Sequence, residues 1–254
     1  MSLWRWLVPV TTLATIAVNG LANALPIAGR TTGEISGAFP VLVTPAGYVF
    51  AIWGVIYLGL AGYAVWQSLP AQAANPRVRA VAPAVVVGNL ANAAWILFWH
   101  HLGFPASLAV MLVLLAALIA TYLGLRAPSG RRGGPGPSRG ERLWARGTFS
   151  VYLGWITVAT VANVSVVLYD AGWGGGFLPG SVWAAIVLLV AVGLGVRMLA
   201  RYGDLAYAAV LVWAFVGIVL AQWGATVVVG TAIVGVIALL YAAASIAGRA
   251  PAAA

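Results

Sequence analysis

The chain contains no cysteine and no lysine, and only four of its 254 residues are acidic. Without cysteine there is no disulfide, no thiolate metal ligand and no cysteine nucleophile. Without lysine there is no Schiff base to retinal or pyridoxal phosphate, which excludes a rhodopsin. Two histidines and four acids also leave few ligands for a metal site built by the protein alone. Several cofactor and metal chemistries are therefore excluded before any motif is considered.

Charge is scarce as well. Charged residues make up 7% of the chain and hydrophobic residues 63%, whereas a soluble domain carries about 25% charged residues. This composition excludes both an ordinary soluble enzyme and a disordered chain. A net charge of +9 would suggest nucleic acid in a soluble protein. In a membrane protein it reports topology instead, so we expect a lipid bilayer and no nucleic acid as partner.

Long apolar stretches are what the sequence has in abundance. A membrane-spanning helix needs about 20 apolar residues, and eight such stretches lie near 7–25, 46–69, 80–100, 104–125, 147–169, 180–200, 204–223 and 225–247. They lack the alternation of a barrel strand, and only helices and closed barrels satisfy their backbone in lipid. The predicted fold class is an all-α, polytopic membrane helix bundle of about eight transmembrane helices.

The arginines predict the orientation of these helices. With a cytoplasmic N-terminus, twelve of the thirteen arginines face the cytoplasm and only Arg30 lies outside. The positive-inside rule therefore places both termini in the cytoplasm. Arginine without lysine, together with abundant alanine and glycine, fits GC-rich coding and favours a bacterial cytoplasmic membrane.

Asparagine and aromatic residues form stripes at helical spacing. Residues three or four apart share one helix face, and four stretches carry such a stripe: Asn19 and Asn23; Trp53 and Tyr57; Asn89, Asn92, Trp95 and Trp99; Tyr152, Trp155, Ala159 and Asn163. One interpretation is interhelical hydrogen bonding by the asparagines, with tryptophans in interface belts. The other is a tryptophan-walled cavity for a flat apolar ligand, favoured because Trp95 and Trp155 lie well inside their stretches.

Three segments resemble known motifs in the right order. TPAGYVFAIWGVIYLGLAGYAVWQSL (44–69), NLANAAWILFW (89–99) and VYLGWITVATVANVSVVL (151–168) are similar to motifs of the tryptophan-rich sensory protein family (TspO/MBR, the translocator-protein family). The resemblance covers residues 1–169 as a five-helix core. It leaves 170–254 as a three-helix C-terminal membrane extension that five-helix members lack.

The resemblance implies a pocket among the first, second, third and fifth helices, covered by the long first loop. Family members bind porphyrins, including haem, and sterol-like or drug-like ligands there. The positions that match the family's ligand site, with Tyr48 in the lid, are Tyr48, Trp53, Tyr57, Asn92, Trp95, Trp155, Ala159 and Asn163. Asn19, Asn23 and Asn89 are expected as supporting polar residues. No built-in cofactor is expected, with porphyrin or haem as the candidate ligand.

Two histidines, His100 and His101, close the third stretch on its outer side. The simpler interpretation is a solvated pair at headgroup level, and the alternative is a haem contact. Neighbouring residues point about 100° apart on a helix, so at most one of the two faces a pocket.

The expected function is a membrane binding protein for a planar hydrophobic ligand, acting as sensor or regulator. The alternative is a transporter of a small lipophilic metabolite, suggested by the three added helices. Those helices are also candidates for a homodimer interface or for docking a membrane partner. No Ser/His/Asp constellation or two-carboxylate site can be assembled at membrane depth, so enzymatic activity is not expected, although the resemblance leaves light-dependent porphyrin degradation open.

Overall fold

The computed structural model describes residues 3–25, 27–127 and 136–247 and is built from helices, with no strand in these ranges. The α-helices are α1 (Leu3–Ala24), α2 (Thr32–Gly37), α3 (Ile52–Ser68), α4 (Pro76–His100), α5 (Phe104–Arg126), α6 (Thr148–Asp170), α7 (Gly180–Tyr202), α8 (Leu205–Ala221) and α9 (Thr226–Ala247). Short 3₁₀ segments span Ile27–Gly29, Gly47–Ala51 and Pro70–Gln72, and a π-helical segment spans Glu141–Gly147. The prediction of an all-α polytopic bundle is confirmed.

Seven of these helical stretches are long and apolar enough to cross a bilayer. The eighth predicted stretch, 204–223, is the shorter helix α8 of 17 residues, which corresponds to about 26 Å at 1.5 Å per residue. Three predicted starts are late, because α1 begins at Leu3, α4 begins at Pro76, and the span that contains α6 begins with the π segment at Glu141. Arginines occupy those early turns, so hydropathy alone does not reveal them.

The chain forms two compact units. The first comprises Met1–Ile35 and Ala51–Ile156, and the second comprises Ser36–Phe50 and Thr157–Ala254. None of the boundaries between the two units lies at residue 169, where the family resemblance places the end of a five-helix core. That boundary refers to family resemblance rather than to compactness, and it stays a prediction.

In the first unit α4 packs against both α1 and α5, and α1 also packs against α3. The π segment and the first residue of α6 approach α3 at two glycines: a Cβ on Gly62 would lie 2.1 Å from the Trp144 ring, and one on Gly59 would lie 2.8 Å from Thr148 Oγ1. Only a residue without a side chain allows this approach. α3 and the start of the α6 span are therefore locked together by ring-on-backbone contact.

A buried ion pair closes the same end of this unit. Glu141 is 2% exposed and its Oε1 lies 2.9 Å from Arg77 Nε and 3.2 Å from Arg146 Nη2. A buried carboxylate is tolerated only when it is paired in this way. Glu141, one of the four acids of the chain, therefore has a structural role as the partner of these two arginines.

In the second unit α7, α8 and α9 pack on one another. The segment before the Gly47–Ala51 turn is tied to α8 by hydrogen bonds: Ala46 N–H donates to Gly217 O at 3.0 Å, and Gln222 Nε2 donates to Thr44 O at 3.2 Å. Trp213 Nε1 also donates to Val49 O at 3.1 Å. Part of the long first loop is therefore held by a helix of the C-terminal region.

Candidate ligand-binding site

The polar stripe of α4 is buried along its whole length. Asn89, Asn92, Trp95 and Trp99 all lie on one face, as their spacing predicts, and none is more than 5% exposed. In lipid a buried amide must find a partner within the protein. The neighbouring helices supply these partners.

Hydrogen bonds link three helices through Asn92. Asn19 Nδ2 on α1 donates to Asn92 Oδ1 at 2.7 Å, and Asn92 Nδ2 donates to the Tyr152 hydroxyl on α6. One side chain thus joins α1, α4 and α6 within the first unit. This arrangement is the interhelical hydrogen bonding by asparagines that the first of the two interpretations of the stripes predicts.

A second set of bonds follows one helical turn below. Asn89 Nδ2 donates to Thr11 Oγ1 at 3.1 Å and to Thr12 Oγ1 at 2.9 Å, and Thr15 Oγ1 donates to the Asn89 carbonyl at 2.8 Å. These threonines were missed in the sequence, although Thr11, Thr15 and Asn19 are spaced by four and so share a face. Asn23, in contrast, is exposed and bonds within its own helix, with Nδ2 donating to Asn19 O at 2.9 Å.

We call these hydrogen bonds of Asn89 and Asn92 the Asn92 ladder. Next to it, aromatic rings from three helices gather around Trp53. Its ring lies 5.5 Å from Tyr57, 6.2 Å from Trp95, and 6.1 Å from both Tyr152 and Trp155. These centroid distances are those of favourable stacked and edge-on pairs. We call Trp53, Tyr57, Trp95, Tyr152 and Trp155 the aromatic cluster.

The cluster combines closed and accessible members. Trp95 and Trp155 are buried, whereas Trp53 and Tyr57 are half-buried on α3. The indole N–H of Trp95 has no hydrogen-bond partner among the described residues. A buried donor left in this state costs about 1–3 kcal/mol, and a ligand carrying an acceptor would relieve that cost. Movement of the α3 rings is the simplest way to open the cluster.

The two histidines have separate environments. His100 is 1% exposed, with Nε2 3.0 Å from Thr32 Oγ1 and Nδ1 3.2 Å from Ile27 O. His101 is exposed, and its Nδ1 is 3.0 Å from Leu97 O. The two rings diverge, as neighbouring helical positions must. His101 keeps its Nε2 without a protein partner in the described residues, whereas His100 would have to break a bond to bind iron.

The remaining expected ligand residues belong to the second unit. Tyr48 is 43% exposed and packs edge-on against Trp213, with ring centroids 5.1 Å apart. Asn163 is buried and Ala159 half-buried on α6. Among the described residues, no group of three carboxylate or imidazole side chains is placed to share a metal ion.

The second unit also contains an apolar cavity that sequence reasoning did not find. Its volume is about 600 Å³, within the range of small-molecule sites. None of the expected ligand residues lines it. Its walls come from the first loop, α6, the 173–175 turn and α7, and include Pro40, Val43, Thr160, Val164, Leu168, Trp173, Trp183 and Val187.

The only signal for this cavity in the sequence is the tryptophan and glycine content of its turn. Gly172, Gly175 and Gly176 adopt positive φ, which favours glycine. Trp183 Nε1 donates to Gly175 O at 2.7 Å and fixes the turn on α7. An α-helix turns by about 100° per residue. By this rotation, the α6 residues that line the cavity lie on the face of that helix opposite to Trp155 and Asn163.

Comparison with known proteins gives one match. The family described as TSPO-like protein matches residues 5–245. The matched region extends into α9, so the three C-terminal helices lie inside the family match rather than beyond it. No curated protein and no solved structure matches the chain.

Proposed function

The chain belongs to the TSPO-like protein family, and from that premise we propose that it is an integral membrane receptor for a flat, largely apolar ligand, with a tetrapyrrole as the leading candidate. The ligand is held at the aromatic cluster. Ligand binding is signalled to other components of the cell, so the protein acts as a sensor or regulator.

The observation that carries the proposal is the gathering of four aromatic rings around Trp53, next to a Trp95 indole N–H that has no hydrogen-bond partner among the described residues. Aromatic faces suit a planar π-system, and the Trp95 N–H suits an acceptor on the ligand. The Asn92 ladder fixes α4 and α6 so that the cluster has a rigid wall. The half-buried rings of α3 form its adjustable side.

The decisive experiment is a titration of the purified protein with protoporphyrin, followed by tryptophan quenching. Saturable binding is expected. Trp53→Ala removes the central ring and should weaken binding at least tenfold. Trp95→Phe keeps the ring but removes the donor, and loss of about 1 kcal/mol of hydrogen bonding corresponds to a roughly fivefold weaker Kd.

The matched control is Trp223→Phe, since Trp223 is 74% exposed and lies in the second unit. Its Kd should equal that of the parent chain. Two outcomes would refute the proposal. One is protoporphyrin binding that does not saturate, and the other is binding that Trp53→Ala and Trp223→Phe weaken equally. Repeating the titration with haem on His101→Ala tests whether the exposed imidazole contributes to iron binding.

The apolar cavity of the second unit is the competing location for the same ligand class. Ala184 lines it, and Ala184→Phe should fill part of its volume. If Ala184→Phe abolishes protoporphyrin binding while Trp53→Ala does not, the ligand binds in the cavity and the assignment to the aromatic cluster is wrong.

The placement of the acids supports binding over ion-coupled transport. Proton- and ion-coupled carriers usually hold a carboxylate within the membrane. Here Glu141 is paired with two arginines at a helix end, and Asp204 Oδ1 accepts the Tyr207 N–H at 3.1 Å as the N-cap of α8. Reconstituted vesicles should accordingly show no proton-coupled porphyrin flux. Such flux would favour the transporter alternative.

We also propose that both termini face the cytoplasm of a bacterium. The alternation of eight helices then puts Arg5, Arg77, Arg79, Arg126 and Arg146 on the inner side. A C-terminal fusion to green fluorescent protein should fluoresce, and a fusion to alkaline phosphatase should be inactive. The opposite pair of results would invert the orientation.

A further inference from the structure

A small polar cavity lies at the end of the first unit where α1 begins and α3 ends. Its volume is about 260 Å³. The first turns of α4 and the connector after α3 complete its walls, and the lining residues are Arg5, Gln67, Gln72, Ala73, Val78, Arg79 and Ala82. It is separate from the aromatic cluster, none of whose members lines it.

The lining carries two positive charges and no negative one. Arg5 and Arg79 are its charged members. The neighbouring acid, Glu141, is taken by Arg77 and Arg146. Neither Arg5 nor Arg79 makes an ion pair within the part of the chain that the structure describes, so the cavity keeps an uncompensated positive charge.

Arg5 is held in a fixed orientation. Its Nη2 donates to the carbonyls of Ser68 at 2.7 Å and Leu69 at 3.0 Å. Gln67, which is buried, donates from Nε2 to the Arg5 carbonyl at 3.1 Å. Two oxygens at the end of α3 thus take one amino group of the guanidinium. The Arg5 Nε is buried and has no partner in the described residues.

The other polar groups add further donors. Gln72 Oε1 accepts a hydrogen bond from Asn75 Nδ2 at 3.0 Å, so the Gln72 amide presents its amino group as a donor. Arg79 is exposed and makes no side-chain hydrogen bond in the described ranges. A fixed guanidinium fork, a second arginine and an amide donor match an anion with several acceptor oxygens.

We propose that this cavity binds a phosphate-type anion between Arg5 and Arg79. Two sources share that chemistry: the headgroup of an anionic phospholipid and a free phosphate. Basic pockets between membrane helices at the cytoplasmic surface are suited to lipid headgroups. The site is independent of the tetrapyrrole proposal, because it uses neither the same residues nor the same class of ligand.

Native mass spectrometry of the full chain in neutral detergent tests the site. The probes are dioleoylphosphatidylglycerol and dioleoylglycerol, which differ by the phosphate-bearing headgroup. Phosphatidylglycerol should form a saturable one-to-one adduct that the diacylglycerol does not form. Arg79→Gln should weaken that adduct about tenfold, the effect of losing one charge-assisted contact. Arg79 is exposed and makes no side-chain bond to another described residue, so this variant should fold normally.

The matched control is Arg197→Gln, the same charge change at an exposed arginine near the end of α7, and it should leave the adduct within twofold. Arg5→Gln is the second variant, checked for helix content by circular dichroism because Arg5 also caps α3. Millimolar inorganic phosphate, against chloride of equal ionic strength, distinguishes the sources: displacement of the lipid identifies free phosphate, and retention identifies the headgroup. Equal binding of the two lipids, or equal weakening by Arg79→Gln and Arg197→Gln, overturns the proposal.

Discussion

The Asn92 side chain is the best place to measure what holds α1, α4 and α6 together. Asn92→Leu keeps a similar volume but removes the bond accepted from Asn19 and the bond donated to Tyr152. Interhelical hydrogen bonds in membrane proteins average about 0.6 kcal/mol and reach about 1.7 kcal/mol. Asn19 keeps its bond to Thr15 O at 2.9 Å, whereas the fully buried Tyr152 hydroxyl loses its donor.

The expected loss for Asn92→Leu is therefore about 2 kcal/mol in the free energy of unfolding. Reversible unfolding by dodecyl sulfate in mixed micelles, followed by circular dichroism, provides the measurement. In a double-mutant cycle with Tyr152→Phe, the loss of stability in the double variant should be about 0.6–1.7 kcal/mol smaller than the sum of the two single losses. That shortfall isolates the single bond between α4 and α6.

Asn23→Leu is the control, because Asn23 is exposed and, among the described residues, its side chain bonds within α1. It should change stability by less than about 0.5 kcal/mol. Additive losses in the cycle, or an Asn92→Leu chain as stable as its parent, would refute the ladder as a source of stability. The asparagine stripe would then serve the ligand alone.

Three further substitutions test the packing of the helices. Gly62→Ala should destabilise the chain by about 1–3 kcal/mol, since the new Cβ would lie 2.1 Å from the Trp144 ring. The control is Gly54→Ala on the same helix, whose Cβ meets nothing within 4 Å, so it should be neutral or stabilise the chain by up to about 1 kcal/mol in the same unfolding assay. Glu141→Gln leaves two arginines without their carboxylate and should cost about 3 kcal/mol; a change below about 1 kcal/mol would show the pair to be solvated. Asp204→Ala removes the N-cap of α8 and should cost about 1 kcal/mol, visible as faster hydrogen exchange confined to the first turn of that helix.

Much of the membrane architecture could be predicted because hydropathy is a local property. Seven of the eight apolar stretches form helices long and apolar enough to span a bilayer, whereas the orientation inferred from the arginines stays a prediction. The stripe on α4 was equally readable, since Asn89, Asn92, Trp95 and Trp99 face one way at any tilt or packing of the helix.

What the sequence did not reveal depends on partners far along the chain. His100 is buried because Thr32 and Ile27, about 70 residues earlier, fold over it, and no periodicity encodes that contact. The threonines of α1 were overlooked because threonine in a helix commonly bonds to its own backbone, as Thr11 does with Leu7 O at 2.8 Å. The apolar cavity requires a loop, a turn and two helices to converge.

The π segment at Glu141–Gly147 has a consequence for how this protein tolerates insertion and deletion. A π turn closes through i to i+5 bonds and so holds more residues than an α turn. Deleting one residue there can convert the π turn to an α turn, so the turns on either side keep their phase and Glu141 keeps its direction toward Arg77. The same deletion between Thr148 and Tyr152, where the helix is already α, would rotate everything before it by about 100° relative to everything after it. Glu141 would then point away from Arg77, while Tyr152 and Trp155 kept their positions in the aromatic cluster. The chain therefore tolerates a length change in the π segment better than one in the first turn of α6.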